Sequence, residues 1–133
     1  MDSSSINLPG SQIEGISLES GTLRVHFSRA YIIKTMTGSV ERTRWWQAGD
    51  LVLEDAELSG GELPTGPLVC AGGDVVENIY TYRDMIPVPL ESRGSAGCKL
   101  KFEGSGQVLE ARGSAVRLEM KDVAKYIEHI IPE

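Results

Sequence analysis

Apolar and polar residues alternate along most of this chain, and a period of two is what a half-buried strand requires. T-L-R-V-H-F is the cleanest case, with Leu23, Val25 and Phe27 on one side and Thr22, Arg24 and His26 on the other. Before it, Ile13 to Leu18 alternates and ends in a Glu19-Ser20-Gly21 turn. After it, Tyr31-Ile32-Ile33 stays β-favourable, Ser28 to Ala30 reads as a bulge, and Thr37-Gly38-Ser39 as a turn. Val40 to Trp46 forms the next strand, placing Val40, Arg42, Arg44 and Trp46 on one face and Glu41, Thr43 and Trp45 on the other. L-V-L-E-D-A-E-L follows, its alternation slipping at Glu54-Asp55 as at a bulge.

Ser59 to Pro67 is a loop by composition, and Gly72-Gly73-Asp74 reads as a turn after a short strand at Leu68 to Ala71. Val75 to Tyr82 is rich in β-branched and aromatic residues and reads as one strand. M-I-P-V-P-L, Met85 to Leu90, is apolar, but Pro87 and Pro89 lack the N–H of a central ladder, so it belongs at an edge. Cys98 to Phe102, Gln107 to Arg112 and Val116 to Met120, separated by glycine turns, make a meander with one wet face. The final D-V-A-K-Y-I-E-H-I-I spaces Val123, Ile127, Ile130 and Ile131 at helical intervals behind a capping Asp122, which predicts a short C-terminal helix.

These elements predict a mostly β protein, an antiparallel sandwich or barrel of about nine or ten short strands. Residues 1–12, with Pro9-Gly10, are expected as a flexible N-terminal segment and 13–133 as a single β domain. Fifteen glycines fit such a turn-rich chain.

Charge narrows the partners. Nineteen acids against thirteen bases leave a net charge of -6, which opposes non-specific attraction to nucleic acid or anionic lipid. The polar, acidic start has neither the basic nor the apolar region of a secretory signal, which points to a cytoplasmic protein. Cys70 and Cys98, outside any C-x-x-C, read as buried thiols.

Catalytic signatures are sparse. The phosphate-cradling G-x-G-x-x-G and G-x-x-x-x-G-K-[ST] patterns and the nucleophile elbow G-x-S-x-G are missing, and the two histidines, His26 and His129, form no H-x-H or H-E-x-x-H. No cofactor and no metal are implied. What remains is R-T-R-W-W, Arg42 to Trp46. Two cations beside two indoles suit an interface core, plain packing, or a stacking platform, and nearby Glu41, Asp50, Glu54 and Asp55 weaken the nucleic-acid version of the last.

The reading favoured is a non-enzymatic domain acting by protein contact, with itself as homodimer or higher oligomer, through Arg42, Arg44, Trp45, Trp46 and the segment with Met85, Pro87 and Pro89. The alternative is a ligand-binding or hydrolytic barrel whose pocket is lined by Tyr80, Tyr82 and Trp45, with Asp84 at its mouth. Nucleic-acid binding ranks third.

Overall fold

The computed structural model describes residues 3–38 and 40–130. They form nine strands: β1 (Ser3–Glu19), β2 (Thr22–Thr35), β3 (Arg42–Glu54), β4 (Glu57–Leu58), β5 (Leu68–Glu77), β6 (Tyr80–Arg83), β7 (Met85–Val88), β8 (Glu91–Phe102) and β9 (Val108–Ile130). All pairings are antiparallel, in the order β6-β5-β8-β9-β3-β2-β1-β7. A further pairing of β5 with β1, through Gln12 with Val69 and Ile13 with Leu68, closes six of them into a ring.

Alternation dictates what fills that ring. Leu23, Val25 and Phe27 point inward with Leu51, Leu53, Val75, Leu100, Leu109 and Val116, each at most 1% exposed. Each such side chain contributes roughly 1.5–3 kcal/mol over leaving it in water. The barrel interior is therefore packed with aliphatic and aromatic side chains.

Four long strands run on beyond the barrel, and all four break register at the same level. The shifts fall between Asn7 and Gln12, Phe27 and Ala30, Trp46 and Ala48, and Lys121 and Lys125. An extra residue bends a strand and tightens its twist, so bulges aligned across neighbours turn the whole sheet. Past this line the outer parts of β1, β2, β3 and β9, with β7 on the β1 side, make a five-stranded arm of order β7-β1-β2-β3-β9. Its inner face carries Ile6, Ile32 and Ile86, which join the barrel core.

The β class and a barrel-like closure agree with the sequence pattern, including the bulge at Ser28 to Ala30 and the turn at Ser20-Gly21. Several elements differ. The C-terminal helix is absent: residues 108–130 are one strand, because Arg42 to Trp46 offers Tyr126, Lys125, Glu128 and His129 a ladder that a helix would forgo; Ile131 lies outside the described residues. Residues 3–12, expected to be loose, are the first half of β1, pinned by Ile6 and Leu8 at 0% exposure. The count of nine strands agrees, but five of them are long rather than short, at 12 to 23 residues, because the bulged alternation continues across positions read as breaks. Gly72-Gly73 lies inside β5, and Val75 to Tyr82 is a hairpin that turns at Asn78-Ile79, with Asn78 at a φ of 54°.

Candidate functional site

Opposed residues of an antiparallel pair share a face, so the register of the arm assigns its outer surface. Tyr31, Trp46 and Lys125 lie abreast across β2, β3 and β9, and Ile33, Arg44 and Glu128 form the next row. Asn7 and Ser5 extend these rows to Met85 and Pro87. Asn7, Ile33, Arg42, Arg44, Met85, Glu128 and Ile130 line a shallow groove of about 360 Å³. Arg42, Arg44, Trp46, Met85 and Pro87 are thus brought onto one face.

Cations cover the rings on this face. The Arg29 guanidinium lies 4.3 Å and the Lys125 ammonium 4.5 Å from the Trp46 ring centre, and the Arg44 guanidinium 4.5 Å from that of Tyr31. Such contacts contribute about 0.5–1 kcal/mol each at exposed sites. Among the described residues Arg29, Arg42, Arg44 and Lys125 make no ion pair. Arg44 Nε is buried with no hydrogen-bond partner. Three cations of this face, Arg29, Arg44 and Lys125, are thus held against rings, and Glu128 lies in the same row as Arg44.

The other predicted residues are dispersed. Trp45 faces inward, its Nε1–H donating to Thr43 Oγ1 at 2.8 Å, with Tyr126 edge-on at 5.3 Å and Lys34 Nζ 4.2 Å from the ring centre. Tyr80 and Tyr82 stack on each other on β6, apart from Trp45's ring partners. Asp84 spends its polar groups on the fold: its Oδ1 accepts from Gly73 N at 2.9 Å, its N–H donates to Gly73 O, and its carbonyl accepts from Leu8 N. Ile86 and Leu90 are core and Pro89 is exposed, so the proline segment is in part a cover over the arm's inner face.

A second polar cluster lies outside the barrel. Asp50, 1% exposed, is 2.6 Å from Arg24 Nη1, 2.5 Å from His26 Nδ1 and 3.3 Å from Lys121 Nζ. Glu119 joins Arg24 to Arg117, which reaches Glu54. The His26–Asp50 pair resembles part of a nucleophile-activating relay, but His26 Nε2 meets Glu14 Oε2 at 3.2 Å where that chemistry needs a hydroxyl or thiol. Burial pushes the Cys70 and Cys98 thiols up to about 11 and about 12, so neither is a neutral-pH nucleophile. Among the described residues no group of three His, Cys, Asp or Glu side chains is placed to hold a metal ion.

The cluster makes stability depend on pH. Burial raises the Asp50 pKa, but hydrogen bonds with His26, Arg24 and Lys121 outweigh it and the net direction is down. Bonds from Thr22 and Arg117 lower Glu54, and bonds from Arg24 and Arg117 lower Glu119. A carboxylate held below its ordinary value stabilises the fold fully above that value and loses the contribution as pH falls through the folded value. The urea midpoint is therefore expected to be flat from neutrality to about pH 5 and to fall below about pH 4. A midpoint that rises on acidification would contradict the assignment.

No family model, curated protein or solved structure matches this chain. Among the described residues no helix is long and apolar enough to cross a membrane. Tyr31, Lys125 and Glu128 escaped the sequence reading because nothing local joins them to R-T-R-W-W; only the register of β2 and β9 against β3 does so, and Arg29 reaches Trp46 from the bulge between Phe27 and Ala30.

Proposed function

We propose that this protein is a binding module without chemistry of its own and that it meets a protein partner on the outer face of the arm. The observation that supports this best is the segregation of charge. Residues 3–7, 29–47, 85–88 and 125–130 carry five bases and two acids, whereas the rest of the described chain carries eight bases and fifteen acids. Trp, Tyr and Arg are the residues that anchor interface cores, and here they share one surface. A second copy of the chain is the first partner to test, because the acidic barrel of one copy complements the cationic arm of another. The small-molecule reading has less support, since the barrel interior is filled and Tyr80, Tyr82, Trp45 and Asp84 are engaged separately.

Sedimentation velocity at low salt is expected to give a mass above that of one chain. Trp46→Ala and Met85→Ala should shift it toward the monomer while the circular dichroism spectrum stays that of a folded β protein. A single-chain mass at every concentration would remove self-association, and variants that change nothing would remove this face as the contact.

A further inference from the structure

We infer that the hairpin tip Asn78-Ile79-Tyr80 of one copy of this chain enters the groove on the arm of another, so that copies join head to tail. This rests on the protein-contact reading above and commits it to one partner and to one part of that partner.

The tip is held in place and left bare. β5 and β6 pair down to Glu77 with Tyr80 and turn at Asn78-Ile79, where Asn78 has a φ of 54°. Three hydrogen bonds pin the turn to β8: Asn78 N donates to Ser95 O at 2.6 Å, and Asn78 Nδ2 donates to Ser92 Oγ at 3.3 Å and to Arg93 O at 3.2 Å. Gly94 makes room for it, since a Cβ there would lie 2.1 Å from Asn78 Oδ1. Beyond these pins Ile79 is 89% exposed, the most of any large hydrophobic residue among those described, and Tyr80, stacked on Tyr82, is 59% exposed. An apolar anchor that is already fixed loses little freedom on binding, and a few such residues can carry an interface.

The groove complements it. Ile33, Met85 and Ile130 give apolar walls, and Arg42 and Arg44 set two bases against the one acid Glu128. Glu77, next to the tip, meets the Tyr82 hydroxyl at 3.4 Å but no cation among the described residues, and neither arginine meets a carboxylate there. Seating Ile79 and Tyr80 between the apolar walls would bring Glu77 toward the arginines, joining charges that each chain by itself leaves unpaired.

Other exposed apolar residues fit less well. Met36, Val40, Tyr126 and Ile127 belong to the arm itself and Val123 to the irregular stretch at its base, so each would bring the cations of one arm against those of the other. Val108, on the barrel, is only 40% exposed. Tip and groove are different surfaces of one chain, so the contact is heterologous: every copy added keeps a free tip or a free groove, and chains lengthen unless the rotation closes a ring.

Sedimentation velocity of the full chain over a concentration series tests this. Ile79→Asp, at a side chain with almost nothing to unpack, is expected to raise the apparent dissociation constant at least about tenfold, and Arg42→Glu, at an exposed groove residue, to do the same. Mixed in equal amounts, the two variants should recover a species of two chains and nothing longer, because only the tip of R42E and the groove of I79D remain intact. A mixture that stays single-chain, or I79D assembling as the wild type does, would overturn the inference; in the second case loss of assembly in Trp46→Ala and Met85→Ala would still uphold the arm contact. A single-chain mass for the wild type at every concentration would overturn it as well and leave the groove to a foreign partner.

Discussion

Replacing Asp50 by alanine is expected to cost about 3 kcal/mol of folding stability, toward the lower end of what breaking a buried ion pair costs. The carboxylate is 1% exposed, and Arg24, His26 and Lys121 converge on it from β2 and β9. Truncation removes three charge-assisted contacts and leaves a void behind them. The loss stays at the lower end because the cations left behind can hydrate: Arg24, His26 and Lys121 side chains are 36%, 33% and 50% exposed. Urea unfolding of D50A beside the wild type reads the difference. A loss under about 1 kcal/mol would mean that the cluster behaves as ordinary surface ion pairs do.

Gly73→Ala is expected to cost a comparable amount through backbone crowding. At a φ of +157° a methyl group would come 2.2 Å from Lys99 O and 2.9 Å from Leu100 Cα, both on the neighbouring β8. Backbone cannot yield as the end of a side chain can, so β5 and β8 would have to part where they pair Gly73 with Leu100. Gly15→Ala is the control, since a Cβ there meets nothing within 4 Å and the angle is unexceptional. Thermal unfolding should lower the midpoint of G73A by several degrees and leave G15A near the wild type. Equal midpoints would show that the close approach carries no strain.

The same two residues mark where the sequence was legible and where it was not. In the sequence Asp50 is only one of several acids near R-T-R-W-W, because the cations that bury it come from distant strands. Gly72-Gly73 looked like a turn because glycine pairs punctuate chains, and the other reason for glycine, a neighbouring backbone too close for a side chain, leaves no local trace. Strands that bury one face cleanly, such as T-L-R-V-H-F, could be read directly. D-V-A-K-Y-I-E-H-I could not, since its apolar residues satisfy a helical spacing nearly as well as an alternating one, and its ladder partner is R-T-R-W-W far earlier in the chain. The faces of that earlier strand were correct, with Arg42, Arg44 and Trp46 together. Its strength as a site depended on Arg29 and Lys125, which only the assembled sheet supplies.

The six-stranded ring is closed by two residue pairs, Gln12 with Val69 and Ile13 with Leu68, where the β1–β2 seam holds twelve. Topologically the molecule is a ribbon with a clasp rather than a hoop. Undoing the clasp would leave every other seam intact and turn a tube into one broad curved sheet, so a load pulling the walls apart would concentrate on those four residues.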